Sequence, residues 1–120
     1  MDKLLWVGLG GAIGAILRYG LSIIPIKLEF PIMTLITNII GAILIGIVVG
    51  LFEKNNISPS THLFLKTGVC GGFTTFSTFS LESLSLLETG KYGLGSLYIV
   101  MSVGCCILGV MIGKFMIQQL

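Results

Sequence analysis

Charge is scarce in this chain: five acidic and seven basic residues among 120, a formal net of +2, and no basic cluster. So slight a balance lacks the electrostatic footprint that a nucleic-acid surface requires. Histidine occurs once, as His62 at the start of an apolar run, and a lone interfacial histidine supports no site. The three cysteines, Cys70, Cys105 and Cys106, fall inside apolar stretches with neither metal-ligand spacing nor a histidine partner. They read as small packing residues and reveal no disulfide framework or redox compartment. No nucleophile with a nearby base, phosphate loop or metal cluster can be assembled, which argues against catalysis.

What fills the chain instead is apolar: 54% of residues are hydrophobic, far from the mix of a soluble fold. The apolar stretches number four, roughly 4–24, 31–52, 62–87 and 92–117. At about 1.5 Å per residue, each is long enough for a hydrocarbon core of about 30 Å. The expectation is an all-α membrane protein with a single four-helix domain over residues 1–120 and short connections around Lys27, Glu53 to Thr61 and Thr89 to Lys91. The start, MDKLLWVGLGGAIGA, imitates a signal peptide; it is read as a retained first span, because removal would discard Arg18.

Inside the third span lies GGFTTFSTFS, Gly71 to Ser80, with five hydroxyls and three phenylalanines in ten residues. Irregular, polar backbone at bilayer depth survives only under protein cover or beside a watery cavity. Glycine with β-branched threonine makes a poor continuous helix, so a break is expected around Gly71 to Thr75. A broken helix offers free carbonyls from its first half and free amides from its second, suited to a cation and an anion respectively. The other reading is a kinked helix whose hydroxyls bond back to the preceding turn. Phe76 and Phe79 share a face of the second half; their positive ring edges suit a desolvated anion, although by spacing alone such a pair also suits lipid or core. Glu82, six residues past Phe76, is read as lying close to that face, at a pore mouth.

Elsewhere, Asn38 lies on a stripe with Thr34 in the second span, serving either an interhelical hydrogen bond or an ion. Arg18, two thirds along the first span, must snorkel to the interface beside Tyr19 or face a watery vestibule. Tyr98 and Ser102 are one turn apart in the fourth span, with Cys106 a further turn on. Small residues recur every fourth position: Thr34, Asn38, Ala42, Gly46 and Gly50; Gly10 and Gly14; Gly109 and Gly113. Such stripes mark close helix packing and specify no function.

Four spans put both termini on one side, with Lys3, Lys54, Lys66 and Lys114 toward it and Arg18, Lys27 and Lys91 toward the other. Four against three barely biases orientation, whereas loop lysines and arginines normally hold the cytoplasmic side. Insertion both ways, and hence an antiparallel homodimer, follows; the other reading lets one terminal lysine decide. Four helices are also too few to enclose a polar path and cover it with apolar surface.

The run GGFTTFSTFS with Glu82 after it, Asn38, and GGAIGAILRY at Gly10 to Tyr19 together resemble the Fluc (CrcB) fluoride channels of microbes, in order and spacing across all four spans. The resemblance implies a fluoride-selective channel of the plasma membrane, exporting the anion passively through two antiparallel pores of a dual-topology homodimer. It implies that Asn38 donates to fluoride, that Phe76 and Phe79 line the pores by their ring edges, and that Tyr98 and Ser102 continue a polar track, with Cys106 standing where a further hydroxyl would extend it. Thr34 and Thr75 join that pathway, with Arg18 and Glu82 at the vestibule. It further implies a structural sodium ion held by the backbone carbonyls of Gly71 and Thr74 from both subunits. Composition alone does not choose fluoride over chloride. Two rivals remain: a small dual-topology multidrug or guanidinium exporter, which needs a mid-membrane carboxylate where this first span has none, and a scaffold subunit of a membrane complex.

Overall fold

A computed structural model describes residues 2–120, and every regular element among them is helical. Helices α1 (Asp2–Ser22) and α2 (Ile32–Glu53) are followed by α3 (Pro59–Leu63), a π-helical stretch (Phe64–Cys70), the single turn α4 (Gly71–Phe73), α5 (Phe76–Glu88) and α6 (Tyr92–Gln118). By length and composition α1, α2 and α6 can each cross a membrane. The stretch 62–87, expected as one interrupted span, is divided among α3, the π-helical stretch, α4 and α5.

The interruption falls at Thr74 and Thr75, both extended, with ψ of 158° and 119°. Two β-branched residues in succession favour that backbone. Thr75 then caps α5, its Oγ1 accepting from the Thr78 amide at 3.1 Å, which satisfies a donor the helix cannot. The glycines expected to cause the break do something else. Gly71 and Gly72 are helical, and Gly72 faces α1.

A Cβ on Gly10 would come within 2.6 Å of the Phe64 carbonyl oxygen, one on Gly68 within 2.9 Å of the Gly10 Cα, and one on Gly14 would collide with the Val69 carbonyl. Only glycine permits so close an approach. Gly10 meets Gly68 and Gly14 meets Gly72, so α1 and the first half of the broken element run parallel. The second small-residue seam joins α2 to α6: Ala42 meets Gly109, Gly46 meets Gly113 and Gly50 meets Ile117. These two helices are therefore also parallel, and the stripes read from sequence face one another.

Helix α2 ends through Asn55 (φ 58°) and α5 through Gly90 (φ 80°), left-handed residues that close a helix C-terminus. At the start of α3, Ser58 accepts from Thr61 and Pro59 takes the first position, where a missing N–H costs nothing. Leu35, Phe79, Leu86 and Tyr98 form a buried cluster between α2, α5 and α6. Leu4, Leu5, Leu9 and Ile16 on α1, with Ile107, Met111 and Phe115 on α6, stay exposed, as a lipid-facing surface requires.

Candidate functional site: a broken helix between two cavities

The break at Thr74 and Thr75 releases backbone groups that a continuous helix would pair, and side chains from two other helices meet two of them. The Thr75 amide would have closed on the Gly71 carbonyl. Instead it donates to Asn38 Oδ1 at 2.8 Å, while Asn38 Nδ2 donates to the Thr75 carbonyl at 3.0 Å. Because a backbone N–H can only donate, this pair fixes which way the Asn38 amide points. One N–H of Nδ2 is left over. From α1, Arg18 Nε donates to the Gly72 carbonyl at 3.0 Å. Arg18 thus ties α1 to the break through its Nε while its guanidinium borders the polar cavity described below.

Of the carbonyls that lose a helical donor, two belong to residues bordering the long cavity described next. That of Gly71 loses the Thr75 amide to Asn38, and that of Thr74 loses the Thr78 amide to the Thr75 hydroxyl. Thr74 itself stays tied to the first half, its amide and hydroxyl both donating to the Cys70 carbonyl.

On either side of this joint lies a cavity of about 420 Å³. The first is long and mostly apolar; Asn38, Thr75, Phe76, Phe79 and Ser102 line it together with Gly71, Thr74 and Cys106. The second is polar, walled by Arg18, Thr34, Thr37, Thr78 and Glu82 and by residues of the α1–α2 loop such as Leu28 and Phe30. Thr75 borders both. The structure thus gathers most of the residues singled out in sequence and sorts them into two groups. Glu82 does not share the face of Phe76: six steps of about 100° carry it about 240° round the helix, into the other cavity.

The aromatic residues make one stack. Phe76 is 78% exposed and Phe79 8%, with centroids 5.4 Å apart, and Phe79 lies 5.3 Å from Tyr98. Tyr98 is fully buried and borders neither cavity; its hydroxyl donates to Glu82 Oε1 at 3.0 Å. Ser102, one turn on, is 6% exposed, and its hydroxyl has no hydrogen-bond partner. A buried, unpaired hydroxyl is costly, and this one belongs to a residue that lines the long cavity.

Three contributors escaped the sequence reading. Thr37 is buried and lines the polar cavity; with Thr34 and Asn38 it completes an i, i+3, i+4 polar face that the every-fourth stripe concealed. Thr78, three residues after Thr75, is the spacing of a helix cap. Phe30 packs edge-on to Tyr98 at 5.4 Å, a contact across a loop with no local signal. Among the described residues no group of histidine, cysteine or acid could hold a metal ion, so any cation here depends on backbone oxygen.

Residues 5–114 match a family model described as CrcB-like protein, Camphor Resistance (CrcB). A protein of Clostridium perfringens is 48% identical over 121 residues, covering 95% of this chain and 94% of the relative. One from Phocaeicola vulgatus is 47% identical over 119 residues (97% and 98%), and one from Ruminiclostridium cellulolyticum 44% over 126 (100% and 95%). Each of these relatives is named fluoride-specific ion channel FluC.

Proposed function

The chain belongs to the CrcB-like protein family, and from that premise we infer that it is a fluoride-specific ion channel, a multi-pass protein of the plasma membrane and not an enzyme. The geometric observation that supports this most is Thr75, held at both backbone ends by Asn38 and bordering both cavities. In this reading the polar cavity and the long cavity lie in series, with Thr75 between them.

Fluoride is small and tightly hydrated, so a pathway must supply donors as water leaves. In this proposal the polar cavity is the vestibule, with Arg18 setting its positive potential and Thr34 and Glu82 along its wall. Thr75 and the remaining N–H of Asn38 receive the ion at the joint. The Ser102 hydroxyl and the edges of Phe76 and Phe79 accompany it through the long cavity, while Tyr98 positions Glu82. None of these groups carries a fixed positive charge in mid-path, so the ion is held weakly enough to leave. Flow is passive: fluoride that enters a cell as the neutral acid dissociates, and the inside-negative potential expels the anion.

The working unit in this proposal is an antiparallel homodimer in the lipid bilayer. The near balance of basic residues on the two sides supports dual insertion. The long cavity is open along an apolar wall that includes Ile45, Val103, Ile107 and Val110, a surface that a second copy would cover. Gly71 and Thr74 border the same cavity with carbonyls lacking helical donors. All-oxygen ligands suit a hard cation, so these residues fit a structural sodium ion. Two carbonyls from one copy are a partial shell, and the same pair from a second copy would add to it. When bound, the ion would supply positive charge that holds the two copies' broken helices together.

The exporter reading is not favoured, since the relatives are ion channels and the first span offers Arg18 where a carboxylate is needed. Reconstitution of the purified chain in liposomes, with ion-selective electrodes following fluoride and chloride, tests the reading. Potassium-driven fluoride loss without chloride loss is expected; assembled dimers that move no fluoride would overturn it.

A further inference from the structure

Lys66 is the one charged side chain bordering the long cavity. The chain's two ion pairs, Lys91 with Glu29 and Lys114 with Glu53, leave it without a carboxylate among the described residues. It stands seven residues past the start of α3, about 10 Å along the helix axis. A cation at that depth is costly in lipid, and by default it faces water or a partner of opposite charge.

Its place on the helix is set by spacing. Lys66 lies within the π-helical stretch Phe64–Cys70, and its carbonyl accepts from the Gly71 amide five residues on. A π turn inserts one extra residue and shifts the register of everything before it. Lys66 and Cys70, four residues apart and so on one face, border the same cavity together with Gly71. The axial order is fixed by the contacts: Asn38 pairs with Thr75, and Gly41 would meet Thr74, so the first half of the broken element runs antiparallel to α2. Lys66 therefore occupies the end of the cavity away from Phe79, about 12 Å from Thr74 along the axis.

We propose that Lys66 is an anion-gathering residue at the far mouth of the long cavity, matching at that end the charge that Arg18 provides in the polar cavity. The residue is exposed and its ammonium rides a flexible stem, so it raises the local fluoride concentration without fixing the ion within the path. This inference rests on the channel reading above. It adds to that reading a determinant of access rather than of selectivity.

The test is fluoride flux from liposomes carrying Lys66→Gln, Lys66→Met, Lys66→Arg or the unaltered protein, each first shown to be dimeric. Flux is measured at low fluoride, in low and in high concentrations of an impermeant salt. With Gln or Met, flux at low ionic strength should fall on the order of threefold, the scale of one unit charge about 12 Å away across a partly watery path. Arg should preserve it. The deficit should vanish near 1 M salt, where the Debye length shrinks to about 3 Å, and at saturating fluoride. Equal flux in all four at low salt overturns the proposal, and so does a deficit that salt and fluoride leave unchanged, which would mark a structural role. If the unaltered protein moves no fluoride, it is the channel reading that fails.

Discussion

Asn38 grips Thr75 by both ends of its backbone, accepting its amide at 2.8 Å and donating to its carbonyl at 3.0 Å. One side chain thus satisfies the Thr75 amide that the break takes from the Gly71 carbonyl, and binds the Thr75 carbonyl as well. Asn38→Leu should abolish fluoride flux and lower stability by about 2 kcal/mol or more, since each lost bond is worth about 1 kcal/mol and an amide is stranded at bilayer depth. Asn38→Asp separates the two tasks. It still accepts the Thr75 amide but loses every donor, so it should assemble better than Leu and conduct equally poorly. Thermal unfolding in detergent beside liposome flux reads both; an Asp variant that conducts normally would remove Asn38 from the ion path.

Ser102 offers the opposite combination. Its buried hydroxyl is unpaired, so Ser102→Ala removes a desolvation cost of about 1–3 kcal/mol and should leave stability unchanged or raised. On the proposed pathway flux should nevertheless fall, because that pathway loses a donor to the ion. A variant that loses stability and flux together would show that Ser102 has a structural partner supplied by the assembly instead.

Much of this architecture was legible in the chain, for reasons particular residues make plain. Helix existence and the small-residue seams follow from apolar length and four-residue spacing, and Ala42, Gly46 and Gly50 do meet Gly109, Gly113 and Ile117. The break falls within the expected Gly71 to Thr75, but of the glycines and threonines held jointly responsible only the threonines turn the chain; Gly72 is spent on contact with α1. Spacing could not show that Arg18 reaches the Gly72 carbonyl, because the two lie 54 residues apart and no local pattern links them. Nor could it sort one helix into two cavities. Phe76 and Glu82 part company only when the helix rotation is followed through and the neighbours on each side are known.

The α1 seam predicts a sharp contrast between glycines of one helix. A methyl on Gly14 would collide with the Val69 carbonyl, whereas nothing lies within 4 Å of one on Gly8. Gly14→Ala should cost about 1–3 kcal/mol through overpacking against backbone that has no rotamer to yield. It should also pull Arg18 from Gly72 and so reduce flux. Gly8→Ala should be silent in both thermal unfolding and transport. Equal behaviour of the two would mean that α1 does not pack on the broken element as described.

The two phenylalanines should differ although they are three residues apart. Phe76, which lines the long cavity, is 78% exposed, and Phe79 is 8% exposed, packed against Tyr98. Phe76→Ile should slow fluoride without affecting stability. Phe79→Ile should slow it too, with a further loss of about 1 kcal/mol or more as the aromatic packing of Tyr98 is lost. Wild-type rates in both variants would remove the ring edges from the mechanism.

Sodium dependence tests the carbonyls of Gly71 and Thr74, which side-chain substitution cannot delete. If these oxygens hold a sodium ion between two copies, exchanging sodium for N-methylglucamine during purification should lower the dimer's unfolding temperature and its flux, and restoring sodium should reverse both. Saturation at about 100 times the dissociation constant corresponds to about 2.7 kcal/mol of stabilisation, an effect large enough to read by thermal unfolding. Gly71→Ala supplies the control. A Cβ there has only the Lys66 carbonyl nearby, at 3.9 Å, so the backbone oxygen stays in place and sodium dependence should persist. A dimer equally stable and active in either cation would exclude the ion, and the two carbonyls would then need donors from the second copy.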